Sequence, residues 1–332
     1  MSNLSDWIKQ HQVLAFYLLV FVISWPAMFI AFFLFPRNQA LQAPFGLIAS
    51  FCPVLIALLI SAVAKPEPKQ ARRPIRWLVF ICAWFFTWAV MCLHTGYIRG
   101  VTLEMQILIP TGLVALLPGW LISCAFSRVP GVKELFGTLL KPKGNIVWYL
   151  AALFIVPVVQ LIGAGITSLA GGEVSFALSS RSFLDTVIFL GLVFLNGLLV
   201  SGGINEETGW RGFVLPRLQA RFPVIGAIVI VWFFWALWHI PYDIGLGTPL
   251  EGILINRILY NFIWALLFAW VYNRTGGSLL APVIFHPAMN AFGNNLPGTT
   301  AATVLFVLLA LAVIFYKRMW KKLPSDHPAV CS

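Results

Sequence analysis

The sequence has 332 residues, of which 60% are apolar and only 10% are charged, and this balance excludes a soluble globular protein. The net charge of +11 does not indicate nucleic-acid binding, because the basic residues lie between apolar runs, as in the loops on the cytoplasmic side of a membrane protein. The five cysteines are scattered without a Cys-x-x-Cys pair, which disfavours a disulfide framework or a thiolate zinc site.

Continuous apolar runs of about 18 or more residues recur along the chain and predict an all-α, polytopic bundle of transmembrane helices. About ten membrane-embedded segments are expected, at residues 13–35, 45–64, 77–97, 106–126, 145–170, 183–201, 223–241, 252–272, 278–296 and 299–316. The sixth is expected to continue into a charged stretch, and residues 127–144 are interpreted as a loop. The ninth is short and contains Pro282 and Pro287, which favours a half-helix or a re-entrant segment.

The distribution of basic residues predicts the topology. Ten alternating spans place 18 of the 22 Lys and Arg residues on the side of both termini, and leave Arg37, Arg99, Arg181 and Arg257 on the other side. Because loops rich in Lys and Arg stay in the cytoplasm, both termini are expected to be cytoplasmic. The chain is therefore expected to be an integral, multi-pass membrane protein. A bacterial inner (cell) membrane is the expected location.

Three regions follow from the placement of polar residues. Residues 1–144 are predicted to form an accessory N-terminal bundle of about four helices, with few ionisable groups inside the spans. Residues 145–316 contain every polar cluster that suggests chemistry, and are expected to form the catalytic core. Residues 317–332 are a basic tail, for which an anchor near anionic membrane lipid is a sufficient interpretation.

The first polar cluster contains Glu206, Glu207 and Arg211. Ionisable residues near membrane depth are costly and indicate function by default. On a helix, Glu207 and Arg211 share a face and can neutralise each other, which leaves Glu206 as an unpaired carboxylate. The alternative is that the three residues belong to a solvated cytoplasmic loop.

The second cluster ends in His239, and the third contains His286 and Asn290, which share a face because they are four residues apart. Glu206 lies 16 residues before Phe222 and His239 lies 17 after it, so an antiparallel hairpin would bring them to the same level. Alone, His239 could be an interfacial residue, and His286 and Asn290 could form a polar contact between helices. Together the clusters suffice for water activation and oxyanion stabilisation.

These motifs, Glu206-Glu207-x-x-x-Arg211, Trp235-x-x-x-His239 and His286-x-x-x-Asn290, resemble the CPBP family of intramembrane CAAX proteases and bacteriocin-processing proteins, also called the Abi family. The resemblance covers about residues 145–300. The family usually has Phe where this chain has Trp235, a position thought to pack rather than react.

The resemblance implies a role for each residue. Glu206 would activate water, with His239 as its partner, and His286 and Asn290 would stabilise the oxyanion. Glu207 and Arg211 would form a structural pair. No cofactor is certain from the resemblance, which leaves a divalent metal such as zinc open; its expected ligands would be Glu206, His239 and His286.

The leading hypothesis is an intramembrane endopeptidase, of a glutamate or metalloprotease type, that cleaves a peptide or a lipidated protein near the membrane. The expected partners are that substrate and membrane lipid. Two alternatives are a non-catalytic membrane partner or immunity protein with the same fold, and a proton-coupled transporter that uses the carboxylates and imidazoles as a relay.

Overall fold

The computed structural model describes residues 2–35, 38–66 and 74–330, which form helices and loops without a β-strand. In these ranges the helices are α1 Ser2–Gln10, α2 Gln12–Leu34, α3 Gln39–Ala64, α4 Pro74–Arg99, α5 Met105–Phe126, α6 Pro130–Leu140, α7 Ile146–Leu169, α8 Phe183–Leu199, α9 at 203–219, α10 Val224–Gly245, α11 Leu250–Arg274, α12 Leu280–Gly293 and α13 Thr300–Tyr316. The all-α, polytopic fold predicted from hydropathy is confirmed.

Eight helical stretches within the described residues are long and apolar enough to cross a membrane, with α8 and α9 counted as one stretch. All ten predicted segments coincide with helices. The ninth, α12, has 14 residues, so it extends about 21 Å at 1.5 Å per residue. This length is less than the hydrocarbon thickness of about 30 Å. The shorter apolar helix α13 follows it.

The loop expected at residues 127–144 contains a helix, α6, so this interpretation was wrong. Its buried side chains are Val132, Leu135, Phe136 and Leu139. These positions are spaced i, i+3, i+4 and i+7, which gives one apolar face along an amphipathic helix. Because α6 has only 11 residues and two basic flanks, its amphipathic pattern is easily mistaken for a charged loop.

Part of the predicted charge asymmetry is seen at one cavity of the bundle. This cavity of about 490 Å³, which we call the basic cavity, is lined by Lys9, Lys65, Lys143, Arg217 and Arg221. These residues come from four separate parts of the chain, and the sequence-based topology had assigned all of them to one side. Arg37, Lys69, Arg72 and Arg73 also entered the charge count and lie outside the described residues.

The described part of the tail, up to residue 330, packs against the protein. The main-chain N–H of Ile225 donates to the carbonyl oxygen of Met319 over 2.8 Å, and Nε2 of Gln219 donates to the carbonyl oxygen of Ala329 over 3.0 Å. Met319 and Ala329 are both buried. The tail therefore covers the turn between α9 and α10. From the sequence alone, a basic anchor near membrane lipid was a sufficient interpretation of the same residues.

Candidate active site

The turn between α8 and α9 sets the position of the charged motif. Gly202 has φ of +105°, a value that side-chain-bearing residues rarely adopt, and its N–H donates to Oδ1 of Asn205 over 2.7 Å. Nδ2 of Asn205 in turn donates to the carbonyl and hydroxyl oxygens of Ser50, over 3.0 and 2.8 Å. Asn205 therefore closes the turn and joins it to α3.

The backbone of α9 changes register directly after the two glutamates. Residues Gly203–Glu207 are α-helical, and Thr208–Val214 form a π-helical segment. Single π-turns inside helices occur frequently at functional sites. Gly209 lies in this segment, where an added Cβ would come within 2.8 Å of the backbone oxygen of Pro53. The glycine therefore allows α9 to approach α3 closely.

Glu207 lies at the centre of a buried ionic cluster. Its Oε1 accepts from Nη1 of Arg211 over 3.0 Å and lies 2.6 Å from Nδ1 of His286. The Arg211 guanidinium lies over two aromatic rings, 4.6 Å from the centre of the Trp235 ring and 4.3 Å from the centre of the Phe268 ring. The predicted Glu207–Arg211 pair is thus present, and Glu207 also orients His286.

Glu206 and His239 face each other as the hairpin spacing predicted. Oε2 of Glu206 lies 3.9 Å from Nε2 of His239 and accepts a hydrogen bond from Nε1 of Trp235 over 2.8 Å. Nδ1 of His239 is 2.7 Å from the carbonyl oxygen of Trp235. A carbonyl only accepts, so Nδ1 carries the proton and Nε2 of the neutral ring is an acceptor.

The gap between these two acceptors has the width that a water molecule needs. The 3.9 Å separation of Oε2 and Nε2 is too long for a direct hydrogen bond. A water oxygen placed about 2.8 Å from both Oε2 of Glu206 and Nε2 of His239 fits this gap. The angle between these two acceptors, measured at the water oxygen, is then about 90°. The pair can therefore accept both protons of one water molecule.

Asn290 and His286 lie on the same helix, α12, four residues apart. Asn290 borders a cavity of about 360 Å³ that is distinct from the basic cavity. His286 is buried, and an added Cβ at Gly202 would lie 2.6 Å from its Nε2. Hence Nε2 of His286 lies against the α8–α9 turn while Nδ1 contacts Glu207.

The described residues contain no group of three or more His, Cys, Asp and Glu side chains arranged to hold a metal ion. The expected ligands Glu206, His239 and His286 do not form such a group; Nδ1 of His286 contacts Glu207, and its Nε2 lies against the α8–α9 turn. The described side chains are therefore not gathered as a zinc site, and a metal at these residues stays a prediction.

Sequence reasoning missed the roles of several residues at the site. Asn205 and Ser50 fix the turn before the glutamates although they are 155 residues apart, and the indole N–H of Trp235 donates to Glu206. Trp235 was expected only to pack, and its hydrogen bond to Glu206 corrects that expectation. The one available signal was Asn205 itself, an amide directly before two carboxylates in a buried stretch.

Fold and site together define a polytopic helical membrane protein with glutamate, histidine and asparagine side chains gathered inside the bundle. A family model described as "Type II CAAX prenyl endopeptidase Rce1-like" matches residues 186–292, a range that includes all six predicted site residues. The chain is also 27% identical over 180 residues to "CAAX prenyl protease 2" of Methanococcus maripaludis, a match that covers 50% of this chain and 65% of that relative. Both matches support the resemblance to the CPBP family that the three motifs indicate.

Proposed function

We propose that this protein is an intramembrane endopeptidase of the CAAX type that hydrolyses a peptide bond with a water molecule held by Glu206 and His239. The observation that carries the proposal is the pair of acceptors, Oε2 and Nε2, that face each other across 3.9 Å. The family match and the relative's name support the reaction class, and prenylated peptides or proteins are the proposed substrates.

The proposed reaction begins with Glu206 taking a proton from the water as its oxygen attacks the substrate carbonyl carbon. The carbonyl oxygen becomes an oxyanion, which the amide of Asn290 and Nε2–H of His286 stabilise by donating to it. Glu206 then passes the proton to the leaving amine nitrogen, and the C–N bond breaks. The products are a new carboxyl group and a free amine.

For His286 to donate from Nε2, it must be the imidazolium, because Nδ1–H already donates to Glu207. The charges of the cluster support this state. Glu206 and Glu207 contribute two negative charges, and Arg211 with a cationic His286 contributes two positive charges, so the buried group is neutral overall. Neutral pairing reduces the large cost of burying single charges. Glu207 is thus proposed to maintain the oxyanion donor as well as the helix.

We place the protein in the cell membrane of a bacterium with both termini in the cytoplasm. The support is the predicted excess of basic residues on one side and the clustering of five of them around the basic cavity. Reporter fusions at residues 170–182 and at the C-terminus test this orientation. The proposal requires the first to report the outside and the second to report the cytoplasm.

The activity is tested with purified protein in liposomes and a fluorogenic farnesylated CAAX peptide. The native protein is expected to cleave the peptide, and Glu206→Gln is expected to lose about a thousandfold in kcat, because it removes the base. The matched control is Glu134→Gln, which removes an exposed carboxylate that pairs with Lys65. Full cleavage by correctly folded Glu206→Gln would overturn the proposal.

The two alternatives give different results with the same preparations. A proton-coupled transporter would produce pH-dependent uptake into the liposomes without cleavage. A non-catalytic partner would leave its cellular phenotype unchanged in Glu206→Gln. An unprenylated peptide of the same sequence shows whether the lipid is required.

A further inference from the structure

The cavity beside Asn290, which we call the amide cavity, lies at the opposite end of α12 from the basic cavity. It has a volume of about 360 Å³ and is bordered by α7, α11, α12 and α13. Five carboxamide side chains line it, from residues Gln160, Asn256, Asn261, Asn290 and Asn294. A cavity of this size, with several convergent polar groups next to a candidate active site, is typical of a ligand site.

Two of these carboxamides are buried and only half hydrogen-bonded. Nε2 of Gln160 donates to the carbonyl oxygen of Gly293 over 3.2 Å, and Oδ1 of Asn261 accepts from Nη1 of Arg257 over 3.3 Å. Because a carbonyl only accepts and a guanidinium only donates, these bonds fix which way each amide is turned. Oε1 of Gln160 and Nδ2 of Asn261 then have no hydrogen-bond partner within the described ranges.

An unpartnered buried polar atom costs about 1–3 kcal/mol, so a ligand that supplies the partner is stabilised by the new hydrogen bond. Gln160 lacks a donor and Asn261 lacks an acceptor. One chemical group that supplies both is the peptide unit, which has an N–H and a carbonyl oxygen. The carboxamides of the amide cavity therefore match the main chain of a peptide.

The charges around the amide cavity argue against an ionic ligand. Among the described residues that line it, Arg257 is the charged one, and it makes two hydrogen bonds to the carboxylate of Asp243, the longer over 2.6 Å. Such a two-point pair satisfies the guanidinium with a carboxylate from the protein itself. An uncharged ligand that can form hydrogen bonds is the best complement.

We propose that the amide cavity is a subsite of the protease that binds the main chain of the peptide substrate next to the bond that is cleaved. Both atoms are buried in the free protein, so the two side chains turn towards the cavity when the peptide binds. Asn261 Nδ2 then donates to a substrate carbonyl, and Gln160 Oε1 accepts from a substrate N–H. The subsite adjoins the site of chemistry because Asn290 borders the cavity and lies one helical turn from His286. The inference rests on the proposed function.

The subsite is tested with the variants Gln160→Leu and Asn261→Leu and with peptides in which single amides are replaced by esters. An ester lacks the N–H, so one ester position should mimic Gln160→Leu. Each change is expected to raise KM about fivefold with kcat little changed, because it removes one neutral hydrogen bond made before the chemical step. Combining the matching ester with Gln160→Leu should add little further loss.

The matched control is Gln219→Leu, at a buried glutamine that bonds to Asn273 and the tail, away from the amide cavity. It should leave KM unchanged, and thermal unfolding identifies any variant that fails to fold. An unchanged KM in both cavity variants, a fall in kcat alone, or independent ester and Gln160→Leu effects would overturn the proposal.

Direct binding of the peptide to Glu206→Gln separates this proposal from the proposed activity. If the native protein cleaves nothing but Glu206→Gln binds the peptide and loses affinity with Gln160→Leu, the activity proposal fails and the subsite stands. If the native protein cleaves with no contribution from Gln160 and Asn261, the subsite fails and the activity stands. Absence of both cleavage and binding overturns both.

Discussion

Oε1 of Glu207 contacts both Arg211 and His286, and this shared oxygen explains why the motif needs two adjacent carboxylates. Glu207 contacts Arg211 and His286, while Glu206 is directed towards His239 on another helix. The spacing of the sequence was enough to predict the Glu207–Arg211 pair and the meeting of Glu206 with His239. It was insufficient for His286, because the i, i+4 relation to Asn290 says nothing about which carboxylate the ring meets.

Trp235 offers a test of how Glu206 is held. Trp235→Phe keeps a large aromatic ring beside Arg211 but removes the N–H that donates to Oε2 of Glu206. The Glu206 carboxylate then loses the charge-assisted hydrogen bond that holds it in position. As a result, kcat in the peptide assay should fall about tenfold with KM little changed.

The control for this change is Trp88→Phe, which removes an indole hydrogen bond to Leu108 far from the site. It should leave kcat at the native value. A Trp235→Phe enzyme with native kcat would show that the indole only fills space, as the family's usual Phe would.

At the scale of elements, α9 is positioned by a helix from the predicted accessory region. Asn205 bonds to Ser50 on α3, and Trp238 on α10 donates to the hydroxyl of Ser24 on α2 over 2.8 Å. Phe16 on α2 packs edge-on against Trp210 at 5.3 Å between ring centres. The helices α2 and α3 thus contact the site directly. The division at residue 144 stays a prediction.

Hydropathy predicted the helices because each long apolar run is one helix, and this information is local. The contacts of Asn205 with Ser50 and of Gly209 with Pro53 are between residues 155 and 156 apart, and a single sequence contains no periodicity that relates them. The π-segment at Thr208–Val214 also has no simple sequence pattern. The element that positions the glutamates was therefore predictable as a helix, but its turn and register were not.

The turn at Gly202 gives a prediction at this scale. Gly202→Ala would place a Cβ 2.6 Å from Cδ2 and Nε2 of His286 and force alanine to a φ of +105°. Both effects displace His286, so activity should fall at least a hundredfold and the melting temperature should decrease.

The matched control is Gly191→Ala in the middle of α8, where an added Cβ meets no atom within 4 Å. Because alanine favours a helix over glycine by about 1 kcal/mol, this variant should be as stable as the native protein or more stable. Native activity in Gly202→Ala would contradict the assigned role of the turn.

At the scale of the molecule, the docked tail makes stability depend on pH. Burial lowers the pKa of His327 below its usual value, an effect that the neighbouring Asp326 partly opposes, and the N–H of Ala329 donates to Nδ1 of the ring over 3.1 Å. The docked tail thus prefers the neutral imidazole. Docking should be fully stable above the ordinary histidine pKa of about 6.5 and should weaken as the pH falls below it.

Limited proteolysis or hydrogen exchange of residues 319–330 at pH 8 and pH 5.5 measures this effect. The native tail should be less protected at the lower pH, and His327→Gln should show a smaller change. Equal protection of the native tail at both pH values would contradict the prediction.

The sequence could indicate a basic tail but not its docking, because docking depends on main-chain bonds to the α9–α10 turn.

Glu206 and His239 are proposed to act together on one water molecule, and a double-mutant cycle on kcat tests this cooperation most directly. The rates of Glu206→Gln, His239→Gln and the double variant are compared with the native rate in the farnesylated-peptide assay. Residues that act as a unit give non-additive losses, so the double variant should be within about threefold of the slower single variant. Losses that multiply in the double variant, or native kcat in either folded single variant, would contradict the account.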